Sequence, residues 1–531
     1  MRTTSIVSSV ALGAALTVAG IATAPPASAG IEVGPDFDCD GYADLAVGSP
    51  GDDINGQSDA GSVHVVFGSA GGGLTSAGDL LLRQGENGVP GSSEAGDAFG
   101  SVIAWGYLDS DGCSDLVVGA PSEDIGSAHD SGAVWIIPGD AATFGTAGMQ
   151  LVYQGLGGLP GSAEAQDLFG ASLAIGDLWD DGLSDDLVVG APGEGVGSNE
   201  DAGAVWIVPN AADDADYTGT LLLTQATTGI PDTPGSFDGF GWAVGTDYFT
   251  DAGGANDDAA DVVIGVPGET VGGHPGAGAV VVVPGIGVTG PDATLAYQID
   301  QDTAGVPGGA EDDDSFGYSI ASGPLLGADF AADLAVGSPG EKIGTEAAAG
   351  LVHVIPSGGS ALTGTGSKFI QPALNGVPGS SEAGDLFGSE MVAENLSGSG
   401  AFVELVIAAP YEDIGRTVDA GAIVILPEND GTVPTAGATL RYQGDGVAPD
   451  TSDANDVFGE MLWVGNFDRT AGYDLAIGAP GESLDTPTFA GAVFELLNDG
   501  AGALTAGAAR WTEDTAGILG VAGSFDEFGS G

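Results

Sequence analysis

The stretch Asp36-Phe37-Asp38-Cys39-Asp40-Gly41-Tyr42-Ala43-Asp44 runs directly into Leu45-Ala46-Val47-Gly48-Ser49-Pro50. Positions 1, 3, 5 and 9 of its first nine residues carry carboxylates, and glycine stands at position 6. Alternate residues can then turn oxygens towards one hard cation, while glycine allows the sharp bend such a loop needs. The next six residues are an apolar run closed by a Gly-x-Pro turn. This unit of loop plus run recurs along the chain, and its recurrence is what specifies the fold.

Two markers count the copies. A Phe-Gly pair preceded by Asp-x occurs at Phe99, Phe169, Phe240, Phe316, Phe387, Phe458 and Phe528. An apolar run closed by Gly-x-Pro or Ala-x-Pro ends at Pro50, Pro121, Pro192, Pro267, Pro339, Pro410 and Pro480. Both series advance in steps of 70 to 76 residues, so seven repeats fill the chain from residue 30 to 531 as one domain. Each repeat holds four short apolar runs, which in the second are Phe99 to Tyr107, Leu116 to Ala120, Ala133 to Pro138 and Met149 to Gln154. They are rich in valine, isoleucine and aromatics and bounded by Gly, Pro, Asp and Ser, which marks strands separated by turns. Several are continuously apolar, as strands covered on both faces are. Four strands in each of seven repeats predict an all-β, seven-bladed β-propeller.

The chain ends predict how the ring closes. The first repeat lacks a Phe-Gly before its loop, and the chain finishes with a Phe-Gly and little after it. Extrapolating the repeat puts Ile31 and Gly531 on the position of Val102. Residues 500 to 531 are therefore expected to complete the blade that residues 31 to 75 begin, with the two termini meeting in its first strand.

Residues 1–29 read as a signal peptide: Arg2, an uncharged apolar stretch from Ile6 to Ala24, then Ala27-Ser28-Ala29 as cleavage signal. No later segment has the 18 consecutive apolar residues of a membrane-spanning helix, so a secreted or cell-surface location without membrane insertion is expected. The 531 residues carry 76 acidic and 8 basic side chains, a formal net charge of −68, with lysine only at Lys342 and Lys368. Nucleic acid and anionic lipid are poor partners for such a field. Calcium binding, solubility and adaptation to high salt each account for acidity of this kind. Charged residues make up 16% and hydrophobic ones 43%, enough to bury a core. The two cysteines, Cys39 and Cys113, fall in the loops of adjacent repeats, and in an exported protein they either bridge those loops or stand as separate thiols.

The Phe-Gly series, the Gly-Ala-Pro series and the Asp-x-Asp-x-Asp-Gly loop between them closely resemble the FG-GAP repeats of the integrin α-subunit propeller and its exported bacterial relatives. The resemblance covers all seven repeats. It implies that the phenylalanines pack between blades and that the loop joining the first two strands of a blade binds Ca2+. It also implies that a ligand meets the opposite face, built by the loops between strands 2 and 3 and between strand 4 and the next strand 1.

The copies differ in how complete their loops are. In the first, Asp36, Asp38, Asp40 and Asp44 offer side-chain oxygens and Tyr42 a backbone carbonyl. Four carboxylates in nine residues repel one another unless a cation offsets them. The second keeps Asp109, Asp111 and Asp115, with Cys113 at the carbonyl position and Tyr107 in place of the first ligand. The third has Asp177, Asp181 and either Asp185 or Asp186, with Trp179 at position 3 and one residue inserted. The seventh reads Asn466, Asp468, Thr470 and Asp474. The fourth is expanded between Asp251 and Asp261, the fifth retains Asp329 and Asp333, and the sixth offers Asn395, Ser397, Ser399 and Glu404. The fifth and sixth are expected to work without metal. Extracellular calcium modules bind at about 10⁻⁴ to 10⁻³ M, which suits a structural ion.

Aspartate precedes every Phe-Gly by two residues, at Asp97, Asp167, Asp238, Asp314, Asp385, Asp456 and Asp526, where it is expected to bond a nearby backbone N–H in the turn. Acids after Gly-x-Pro, such as Glu123, Asp124 and Asp130 or Glu412, Asp413 and Asp419, fall in the strand 2–3 loops. His64 and His353 hold equivalent strand positions and read as packed core histidines. No G-x-S-x-G, H-E-x-x-H or P-loop is present, so no catalytic residue is assigned. The sequence therefore points to an exported, monomeric, calcium-stabilised propeller that binds or adheres to an extracellular protein or glycan. A secreted hydrolase using acidic residues and a structural envelope protein are the alternatives.

Overall fold

The four apolar runs of the second repeat become the strands Val102–Gly106, Asp115–Ala120, Ala133–Ile137 and Gln150–Val152, paired antiparallel in chain order. The same meander recurs, giving seven blades in a ring in a computed structural model. It describes residues 5–6 and 34–531 except 71, 143, 146, 181–183, 213–216, 251–258, 327–331, 360, 399–401, 429–436, 471, 485–486 and 500–503. The described residues contain no α-helix. The first three strands of blade two are buried along their whole length, whereas Gln150–Val152 at the rim is half exposed. That is why the inner runs are nearly continuous in apolar residues, valine, leucine and isoleucine foremost: both of their faces meet neighbouring blades.

The Phe-Gly phenylalanines fill the gaps between blades, all seven with 0% exposure. Phe99 donates its N–H to the Ala60 carbonyl of blade one and stands edge-on to Trp135 of blade two, ring centroids 5.0 Å apart. Phe169 meets Trp206 at 5.2 Å in the same way. The Gly-x-Pro glycine is required by this contact. A Cβ on Gly119 would lie 2.4 Å from the carbonyl oxygen of Gly170, so any side chain there would push two blades apart.

The ring closes where the termini meet. Gly48 on the second strand of blade one, Leu45–Ser49, donates to Gly531 and accepts from Gly529, while Asp44 donates to Pro35 at the other end of the strand. Gly531 thus takes the place that Val102 holds opposite Gly119 in blade two. One expectation is corrected. Leu504–Trp511 is not part of blade one but the outer strand of blade seven, paired with Ala492–Asn498, and only the segment around Phe528 crosses over. The cause is the strand order: the Phe-Gly marker starts a blade, so the run before it ends the previous one. The expected signal peptide lies outside the described residues, apart from Ser5–Ile6, which pair with Gly245 and Thr246 on blade four. No helix among the described residues is long and apolar enough to cross a membrane.

Candidate metal centre

The loops between strands 1 and 2 are strung together around one face. In each of five junctions the carbonyl of loop position 1 accepts an N–H from the next blade's loop: Asp36 from Ser114, Tyr107 from Asp185, Asp177 from Ala260, Asn395 from Tyr473 and Asn466 from Ala43. The blade-one loop is held on both sides. The Ser114 Oγ accepts the Asp36 N–H at 3.0 Å, and Arg469 of blade seven lies over the Tyr42 ring at 5.0 Å. Cys39 and Cys113 form a disulfide across blades one and two, with Cα atoms 5.3 Å apart.

Asp36, Asp38 and Asp40 converge, each offering one oxygen within 4.8 Å of the others. Backbone bonds fix them: Asp36 accepts from Asp40 and Gly41 at 3.0 and 2.8 Å, Asp38 from Asp40 at 3.2 Å, and Asp40 from Tyr42 at 2.9 Å. Burial, together with Asp40 and Asp38, pushes the Asp36 carboxyl up to about 6, and burial and Asp40 raise Asp38. Three acids held together by their own backbone at such a cost fit a hard, oxygen-seeking divalent cation.

Asp44 lies outside that convergence. It is fully buried, and its oxygens accept from the N–H groups of Phe37 at 2.8 Å and Gly68 at 3.0 Å. The same bracket recurs at Asp115 with Leu108 and Gly139, at Asp186 with Leu178 and Asn210, at Asp261 with Thr250 and Gly285, and at Asp474 with Phe467 and Asn498. In blade five Asp333 accepts from Leu326 and Ser357. The second acceptor bond always reaches 24 residues ahead, tying the loop to the far end of strand 3. In blade three the position belongs to Asp186, whereas Asp185 accepts from Tyr107 of blade two at 3.1 Å.

The other loops are less convergent. Asp109 and Asp111 are bonded to backbone, Asp109 accepting from Asp111 at 2.9 Å and Asp111 from Cys113 at 2.8 Å. Asp177 accepts from Asp180, and Asp181 lies outside the described residues. In blade seven Asp468 accepts from Thr470, whose carbonyl in turn accepts from the Asn466 amide. Of the other expected loop positions, Asp251, Asp329 and Ser399 lie outside the described residues. The Phe-Gly aspartates do bond the turn: Asp97, Asp167, Asp238, Asp314, Asp385 and Asp456 each accept a backbone N–H three residues earlier, at 2.5 to 2.7 Å.

One arrangement escaped the sequence reading. At five blade junctions a glutamine from the end of strand 4 donates to a glutamate after the next Gly-x-Pro: Gln84 to Glu123, Gln154 to Glu194, Gln225 to Glu269, Gln301 to Glu341 and Gln443 to Glu482. The signal was available as a Gln and a Glu at similar offsets in these repeats, but nothing local pairs residues about 40 apart. On the face away from the metal loops, Phe525 is 56% exposed and stacks on Phe489, ring centroids 5.4 Å apart. Leu519 and Val521, in the same connection from blade seven to blade one, are also exposed.

Comparison with known proteins agrees with this architecture. Residues 29–66, 99–137 and 169–208 match the model of the FG-GAP repeat. The chain is 37% identical to integrin alpha-3 of Cricetulus griseus over 123 residues, 23% of this chain and 10% of that protein. It is 36% identical to the phosphatidylinositol-glycan-specific phospholipase D of Rattus norvegicus over 104 residues, 20% of this chain and 12% of that protein. Integrin alpha-PS5 of Drosophila melanogaster is 35% identical over 106 residues, 20% of this chain and 10% of that protein. The matched stretch thus spans only about a tenth of these curated relatives.

Proposed function

Because the chain is an FG-GAP, integrin α-like β-propeller, we propose that it is an extracellular binding or adhesion module whose blade-one loop is stiffened by calcium and whose opposite face meets a protein or glycan. The observation that carries the reading is the separation of chemistry between the two faces. One face gathers Asp36, Asp38 and Asp40 in a loop locked to both neighbouring blades. The other presents the exposed Phe525, stacked on a half-buried Phe489, with the exposed Leu519 and Val521. Exposed aromatics and aliphatics on a rigid scaffold supply contact area at little ordering cost, as recognition surfaces need. The calcium is structural: it binds the folded loop and not the unfolded chain, so it raises stability by mass action. Asp36, Asp38 and Asp40 with the Tyr42 carbonyl are its ligands at blade one.

The experiment has two arms. Millimolar EDTA should lower Tm, and Asp38→Ala with Asp40→Ala should remove most of the blade-one share of that change. A melting curve unchanged between chelator and millimolar calcium would remove the metal. On a glycan array and in binding to candidate cell-surface proteins, Phe489→Ser with Phe525→Ser should abolish retention while leaving Tm within about 2 °C. Turnover of a polysaccharide or phosphodiester substrate, lost on changing a single acid pair, would favour the hydrolase reading instead.

A further inference from the structure

The junction between blades seven and one breaks the pattern of the other interfaces. Where five junctions place Gln opposite Glu, this one places Glu513 opposite Asp52, with the Phe-Gly aspartate Asp526 beside them. The glutamine that donates a hydrogen bond elsewhere is here replaced by a group that only accepts when ionised. Three buried carboxylates therefore converge at the seam, one oxygen of each within 4.8 Å of the others, at 7%, 3% and 3% exposure for Asp52, Glu513 and Asp526.

The surroundings do not balance them. Arg83 reaches Asp52 at 2.9 Å. His64, whose strand-3 counterpart in blade five, His353, is bonded to the Pro307 carbonyl, here turns Nε2 to Glu513 Oε1 at 3.1 Å and lies 3.5 Å from Asp79. Asp79 in turn accepts from the Leu519 N–H. Even with His64 protonated, two bases face four carboxylates, Asp52, Asp79, Glu513 and Asp526, a deficit of two charges. Glu513 Oε2 is buried with no hydrogen-bond donor, on a side chain 1% exposed.

We propose that Asp52, Glu513 and Asp526 hold a divalent cation, of the calcium type, that clamps the last blade to the first. Opposite ligands of a calcium ion stand about 5 Å apart, twice a Ca–O distance of about 2.4 Å, so one ion fits among these oxygens. It supplies two positive charges where two are lacking and occupies the acceptor that glutamine satisfies at the other junctions. The seam is also where this device has most to do, since the pairing of Gly48 with Gly529 and Gly531 joins the two ends of the chain with no covalent connection behind it. The seam site is independent of the blade-one loop.

The test compares calcium bound per chain, by equilibrium dialysis with radioactive calcium up to millimolar free ion, in five proteins: the native chain, Glu513→Gln, Asp526→Asn, Asp38→Ala with Asp40→Ala, and the combination of Glu513→Gln with the loop pair. Glu513→Gln restores the amide found at the other junctions and should fold. It should lose one calcium relative to the native chain whether or not the loop pair is changed, and Asp526→Asn should lose the same one. Its Tm in EDTA should match or exceed that of the native chain, because the unsatisfied carboxylate is gone. Unchanged stoichiometry in both Glu513→Gln and Asp526→Asn would overturn the proposal and leave a shared proton as the partner of these acids. Asp38→Ala with Asp40→Ala should keep the calcium that Glu513→Gln removes; a native chain that binds only that one ion would support the seam site and overturn the blade-one loop.

Discussion

At the scale of the residue, the ninth position of the loop shows how one residue type can serve two ends. By spacing it belongs with the ligands, and Asp44, Asp115 and Asp474 read so in the sequence. The structure gives each a pair of buried backbone N–H groups, one of them 24 residues ahead. Spacing cannot reveal that, because the second donor lies beyond a whole hairpin. It does explain why aspartate persists at Asp261 and Asp333, in loops that depart from the ligand spacing of the first copy by expansion or by loss of acids. Asp261 accepts from the Thr250 N–H at 2.7 Å, the Thr250 hydroxyl at 3.0 Å and the Gly285 N–H at 2.9 Å. Asp261→Ala strands these donors in the core and should cost about 2–4 kcal/mol. Chemical denaturation should find the same loss in calcium and in EDTA. A loss seen only in calcium would make the residue a ligand.

At the scale of the element, the strands were legible because their burial is. Runs such as Leu116 to Ala120 and Ala133 to Pro138 are apolar throughout since both faces are covered, and observed bounds differ by a residue or so. The pairing of Cys39 with Cys113 was open in the sequence, which gives no distance between loops 74 residues apart. Structure brings them together because adjacent blades put equivalent loops side by side, tied by Asp36 and Ser114. Closing a loop of 74 residues restricts the unfolded chain by about 4 kcal/mol on the chain-entropy account. Cys39→Ser with Cys113→Ser should therefore lower the unfolding free energy by up to about that amount. It should also weaken calcium at blade one, since the loop bearing Asp38 and Asp40 is then pinned only by hydrogen bonds and Arg469. Equal calcium affinity in the oxidised and serine forms, read by titration calorimetry, would separate the disulfide from the loop.

At the scale of the molecule, the repeat count and the meeting of the termini followed from the sequence, whereas the ladder of acids between blades did not, being a property of neighbours in the ring. That ladder sets a pH dependence. Burial first, then the adjacent Phe-Gly aspartate, pushes Glu123 and Glu412 up to about 8 from an ordinary 4.5, and Glu194, Glu269, Glu341 and Glu482 up to about 7. Between pH 4.5 and 8 the folded ring holds more protons at these sites than the unfolded chain does. Stability from this source is then complete below about 4.5 and lost as pH rises through 7 to 8. The net charge of −68 acts in the same direction, since protonation relieves self-repulsion. His353, lowered to about 4 by burial, opposes it, but as one residue against six. A tenfold change in a group's proton affinity on folding corresponds to about 1.4 kcal/mol, so even a fraction of the ladder is worth several kcal/mol. In EDTA, where bound metal does not enter, Tm should rise by several degrees from about pH 8 to about pH 5.5. Glu123→Gln, which keeps the shape and removes one titrating group, should flatten that slope by a measurable step, and Glu123→Gln with Glu412→Gln by about twice as much. A Tm that is level or falls as the pH is lowered over that range would mean that the inter-blade acids stay ionised in the folded ring and that some other positive charge accompanies them.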